Sequence, residues 1–155
     1  MNDPKLMREI KFRAWDDQNK FWVDRCIIEN DGDVAVLDYD TEDEWHYGGP
    51  IIVCQYTGLK DKNGTEIYEG DIIQSKSELI KLYDDTSTGK YITQNYIVKW
   101  EKQNGRWGRF RNGRYELLTG LDEKLLLKWY TVIGNIYENP ELLEPKDNDD
   151  ENTKY

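Results

Sequence analysis

Residues 55–73 read QYTGLKDKNGTEIYEGDII. Two turn signals, Asn63-Gly64 and Gly70-Asp71, fall inside nineteen residues. Asn-Gly favours a two-residue hairpin turn because both central positions need φ > 0. Ile67-Tyr68 then reads as a short strand, and Gly70-Asp71 turns the chain into Ile72-Ile73. The same stretch carries four acidic residues and two lysines, which raises the question of a cation loop. An EF-hand loop needs Asp at position 1, Gly at 6 and Glu at 12. With Gly64 at position 6, Leu59 and Gly70 occupy the two carboxylate positions. The template fails, and the stretch reads as the bend that begins a sheet.

Outward from this bend the pattern is that of β-structure. Upstream, Ile10, Phe12 and Ala14 alternate with Lys11, Arg13 and Trp15, a period of two. Asp16-Asp17-Gln18-Asn19 is turn chemistry, and residues 21–23 return as a strand. Residues 26–28 and 34–37 flank Asn30-Asp31-Gly32-Asp33, another hairpin signal. Residues 38–50 (DYDTEDEWHYGGP) read as an acidic loop, and strand character resumes at residue 51. Downstream, residues 74–95 are polar and read as a long excursion. Residues 96–100 (YIVKW) are a strand, and Asn112-Gly113 joins residues 106–110 to 115–118 as a further hairpin. Residues 122–129 (DEKLLLKW) have a helical pattern. Residues 130–137 form a late strand with a bulge at Gly134. Asn139-Pro140 is an N-cap followed by proline at the first helical position. The expected core is Phe12, Trp15, Phe21, Val53, Leu59, Ile67, Ile72, Ile97, Trp100, Val132 and Ile136, with Trp100 and Trp129 as anchors.

The 155 residues suit one domain. Apolar residues make up 37% and charged residues 34%, against about 45–50% (glycine included) and about 25% in average domains. Six Trp, eleven Tyr and three Phe offset the thin core. The net charge of −10 disfavours non-specific contact with nucleic acids and anionic membranes. No apolar run reaches the ~18 residues of a membrane span, and the first residues carry no apolar signal region. With two cysteines, a disulfide framework is not expected. A cytoplasmic location follows as the expectation.

Few residues carry candidate chemistry. His46 is the single imidazole, so Cys54–His46 is the one conventional nucleophile–base pair. Cys54 ends the apolar run 51–54, which favours an inert core thiol. One His and two Cys do not make a zinc site. Residues 38–44 hold five carboxylates in seven positions and read as a solvated loop. No catalytic residue, metal or cofactor is assigned, and the protein is expected not to be an enzyme. One cluster stands out: residues 105–115, GRWGRFRNGRY, have four arginines and no acid. Arg106, Trp107, Arg109, Arg111 and Arg114 are therefore the candidate nucleic-acid or partner patch, since arginine and aromatic groups grip phosphates and stack on bases. The competing account pairs these arginines with the acidic loops of the same chain or of a neighbouring subunit.

Residues 8–15 (REIKFRAW), 55–73 and 132–143 (VIGNIYENPELL) together resemble the YopX family of small phage and prophage proteins of Gram-positive bacteria. The resemblance implies a mainly β, barrel-containing fold and supplies no catalytic residues. A Gly-Asp pair ahead of apolar β-branched residues suggests, by fold analogy, the first long strand of an SH3-like barrel. The expected architecture is mainly β: N-terminal hairpins (7–55) packed beside a small SH3-like barrel (56–143), with one or two short helices near the C-terminus. A flexible leader (1–6) and a disordered acidic tail (144–155) complete the chain. The expected function is a non-enzymatic module that binds a host or phage protein, or self-associates as a homo-oligomer. The alternatives are a nucleic-acid-binding module using residues 105–115 and an acidic decoy of a host DNA-binding protein.

Overall fold

The computed structural model describes residues 9–37, 45–47, 49–80, 87–118 and 129–144. The leader, the acidic run 38–44, the helical pattern at 122–128 and the tail from 145 lie outside these residues. Among the described residues twelve strands form three antiparallel sheets. The first has the order β2-β1-β6-β7, from β1 (Phe12–Asp16), β2 (Phe21–Val23), β6 (Ile51–Lys60) and β7 (Glu66–Tyr68). The second, a small sheet, joins β3 (Cys26–Ile28), β4 (Val34–Leu37) and β5 (Trp45–Tyr47). The third, curled into a half-barrel, has the order β11-β10-β9-β8-β12. Its strands are β8 (Asp71–Ile80), β9 (Ser87–Glu101), β10 (Arg106–Arg111), β11 (Arg114–Leu117) and β12 (Tyr130–Asn135).

The turn residues do what their chemistry dictates. Asp16 Oδ1 accepts the backbone N–H groups of Gln18 and Asn19 at 2.9 and 2.8 Å, closing the β1–β2 hairpin. Gly70 has φ +84° and carries the chain from β7 into β8. Its N–H donates to the Val98 carbonyl and its carbonyl accepts from the Ile136 N–H, both at 2.9 Å, so one residue ties β8 to strands on either side. β12 is bulged between Val132 and Gly134 as expected. A side chain on Gly134 would meet the Asn139 carboxamide at 2.4 Å. Asn139 therefore lies over the bulge, its Oδ1 accepting the Asn135 N–H at 3.4 Å, and makes no side-chain cap for the single 3-10 turn Pro140–Leu143.

Two clusters hold the fold. Inside the half-barrel Ile67, Ile73, Tyr96, Val98, Trp107, Leu118 and Tyr130 are buried together, with Leu59 and Val132 packed against them. Between the sheets, Trp15 stacks on Tyr137 at 5.7 Å and meets Trp22 edge-on at 5.2 Å. Within this second cluster Arg13 of β1 forms an ion pair with Asp71 of β8. The guanidinium lies 4.2 Å from the Trp22 ring centre and 4.7 Å from that of Tyr68. Asp71 Oδ2 also accepts the Tyr68 N–H at 2.7 Å. Burial pushes the Asp71 carboxyl above its ordinary range, against the pull of Arg13 and that N–H.

Several expectations change. Trp100 and Trp129 are not anchors: they are 37% and 52% exposed. Trp100 sits near the end of β9 and packs only edge-on against the buried Trp107, at 4.9 Å. Trp129 precedes the first paired residue of β12, and Tyr130 takes the core position. Phe12 is exposed because β2 reaches only Ala14–Asp16, leaving Phe12 with β6 on one side alone. Ile97 is half-buried, while its neighbours Tyr96 and Val98 face the core. The acidic loop expected over 38–50 contains strand β5. In place of the excursion expected over 74–95, strands β8 and β9 run antiparallel and pair with each other along most of that stretch.

Arg13→Met should destabilise the protein by about 3–5 kcal/mol, because it leaves the Asp71 carboxylate buried without its countercharge. Urea unfolding would measure this, and Asp71→Asn in the same background should recover some of the loss.

Candidate functional site

The bend at 55–73 is the first candidate, and three of its four acids are already engaged. Asp61 is 2% exposed. Its Oδ1 accepts the N–H groups of Asn63 and Thr65 at 2.8 and 2.9 Å, and its Oδ2 that of Val132 at 3.0 Å. Burial alone would push this carboxyl up, but the three donors outweigh it and hold the carboxyl below its ordinary value. Glu66 accepts from Lys11 at 2.5 Å and from the Tyr68 hydroxyl at 2.8 Å. Asp71 holds Arg13. Three of the four carboxylates are thus built into the fold, and Asp61 fastens the turn to β12.

Cys54 is fully buried, and its thiol lies 3.5 Å from the Tyr137 hydroxyl. Burial raises its pKa, which lowers the fraction of reactive thiolate. The backbone of His46 pairs with Val36 in the small sheet; its side chain lies outside the described residues.

The arginine hairpin is the stronger candidate. Asn112 and Gly113, at φ 48° and 74°, close a two-residue turn, placing Arg111 opposite Arg114 and Arg109 opposite Glu116. Trp107 is 3% exposed and belongs to the core, so its ring is not available at the surface for stacking. Arg106 Nε donates to Glu101 at 2.8 Å. Arg109 pairs with Glu116 and lies over the rings of Tyr96 and Tyr130, at 4.6 and 5.1 Å. Acids on adjacent strand positions, rather than acidic loops, therefore engage these two arginines. Gly108 permits the arrangement: a Cβ there would meet the Tyr115 ring at 1.9 Å.

Beyond Arg109 the concave side opens into a cleft of ≈ 340 Å³, lined by Gln94, Tyr96, Arg111, Asn112, Arg114 and Glu116. Arg111 and Arg114 bring two cations to one end of a hairpin, where like charges directly opposed are unfavourable and an anion between them is attracted. Arg114 and Asn112 are exposed. The sequence reading found the two arginines of this cleft but not Gln94, Tyr96 or Glu116. Glu116 was within reach: counting outward from the Asn-Gly turn sets it opposite Arg109. Gln94 and Tyr96 come from β9, a distant stretch with no chemical signature.

A family model described as YopX protein matches residues 11–144. Among solved structures, the chain is similar to the crystal structure of protein EF1440 from Enterococcus faecalis. The identity is 28% over 89% of this chain and 100% of that one, with a TM-score of 0.54. Comparison with curated proteins finds no match.

Asp61→Asn should cost about 1–3 kcal/mol, since an amide cannot accept from all three backbone donors. Because folding lowers the Asp61 pKa, its contribution is whole above the unfolded carboxyl's pKa of about 3.9 and is lost as pH falls through the folded value. Thermal melts between neutral and acid pH should therefore show a shallower acid decline in the variant than in the wild type.

Proposed function

This chain belongs to the YopX family, and we propose that it is a non-enzymatic binding module that grips a carboxylate-bearing segment of a host or phage protein in the Arg111–Arg114 cleft. We read its half-barrel as SH3-like and its setting as the cytoplasm of a phage-bearing bacterium. The strand order β11-β10-β9-β8-β12 supports the first reading: a meander whose last strand returns beside its first.

The observation that carries the proposal is the opposition of Arg111 and Arg114 across the hairpin turn, in a cleft otherwise lined by Gln94, Tyr96, Asn112 and Glu116, whose carboxylate is paired with Arg109. Guanidinium groups suit carboxylates through paired, directional hydrogen bonds. The nucleic-acid alternative is weaker for two reasons. The indole that would stack on bases is in the core. A chain of net charge −10 also meets stronger repulsion from a polyphosphate than from a peptide with spaced carboxylates. Several ionisable side chains near the bend and hairpin are engaged in folding contacts, which supports a binding role over a catalytic one.

Calorimetric titration with a short peptide carrying a few spaced glutamates tests this reading. Binding should weaken as salt rises, and Arg114→Glu should reduce affinity by about tenfold or more, as expected for a charge-assisted contact. Retention of a single-stranded oligonucleotide, with no peptide binding, would shift the reading to the nucleic-acid alternative. Binding of neither probe would overturn both.

A further inference from the structure

The β8–β9 ribbon runs beyond the strands that flank it. β12 pairs with β8 only between residues 71 and 75, and β10 pairs with β9 only between residues 97 and 101. Past those points, among the described residues, the two strands pair only with each other. Residues 76–78 and 87–93 are exposed, including Tyr91 at 55% and Ile92 at 40%. Lys76 lies over the Tyr91 ring at 4.3 Å. A two-stranded ribbon in water is marginal on its own. Folded proteins also blunt long edge strands with proline, bulges or charge, whereas residues 87–95 (STGKYITQN) hold no proline and one charge, Lys90.

The register shows which groups the open edge presents. The Val98 carbonyl accepts the Gly70 N–H, so it points toward the β8 side. Backbone groups alternate in direction along a strand, so residues 92 and 94 also face β8. Tyr91, Thr93 and Asn95 then direct their N–H and C=O groups away from it.

We propose that this edge of β9 pairs with the same edge of a second copy, antiparallel, about a two-fold axis at Ile92. Tyr91 then exchanges backbone hydrogen bonds with the second copy's Thr93, and Lys90 faces Gln94. No like charges meet. Charge is what selects a second copy over other occupants at this place. Two chains of net charge −10 repel over most of their surfaces, but residues 87–95 contain no carboxylate. A two-fold pairing also satisfies the β9 edges of both copies at once.

The proposal is independent of the arginine cleft, and its test uses the full-length protein. Light scattering coupled to size exclusion should give a dimer. Thr93→Pro removes an N–H that faces the second copy and not β8, so it should raise the dimer dissociation constant by about tenfold or more while leaving the β-sheet circular dichroism unchanged. Ile92→Cys, in a Cys26→Ser background, sits on the axis. Residues facing each other there lie about 4.5 Å apart at Cα, within disulfide reach, and mild oxidation should link the two copies. This cross-link decides the matter if the proline variant fails to fold. A monomer at every concentration reached would overturn the proposal. So would a dimer that Thr93→Pro leaves intact and Ile92→Cys does not link.

Discussion

The ion pair between Arg13 and Asp71 is the contact on which the arrangement of the two larger sheets depends. It joins β1 to the first residue of β8, and both flanks of the guanidinium are aromatic. A buried pair of this kind contributes little net stability compared with a well-packed apolar contact. Its directionality is its value here. Asp71 receives Arg13 on one oxygen while the Tyr68 N–H donates to the other, just after the turn at Gly70. The stacking of Trp15, Trp22 and Tyr137 then supplies the apolar burial around a contact whose geometry is already set.

The same pattern runs through the rest of the charged residues near the bend and the hairpin. Asp61 organises a turn and pins it to β12, Glu66 takes Lys11, and Glu101 and Glu116 take Arg106 and Arg109. In a chain with 34% charged residues, these charges serve local geometry. The arginines of the hairpin illustrate the division. Arg106 and Arg109 pair with Glu101 and Glu116, and Arg111 and Arg114 face each other across the turn and line the cleft.

Turn chemistry made most of the strand order readable. Gly70, Asn112-Gly113 and the bulge near Gly134 lie where local backbone preference demands them, but at 63–64 only Gly64 has a positive φ: its N–H donates to the Asp61 carbonyl and the turn between Asp61 and Thr65 is one residue longer than the two-residue turn expected. What misled was the choice of face. In residues 96–100 (YIVKW) the alternation sets Tyr96, Val98 and Trp100 on one face and Ile97 with Lys99 on the other, and the expected core took Ile97 from the wrong face. Tryptophan size suggested burial for Trp100 and Trp129, but both lie where strand pairing runs out. The β8–β9 ribbon was hidden for a related reason: with solvent on both sides it needs no apolar alternation, so its strands carry no period to detect. The cleft was half legible, because its arginines are a local motif while Gln94 and Tyr96 arrive through tertiary pairing.

Tyr137 closes against both Trp15 and Gly70, although it stands more than a hundred residues after the first of them. During synthesis the chain is made at about 5–20 residues per second. The β1–β2 hairpin must therefore wait several seconds, its two tryptophans lacking their lid, until Tyr137 has been made and has left the ribosome. Such a molecule matures in one late event, and a truncated product missing its last strand would expose that indole surface to chaperones and proteases.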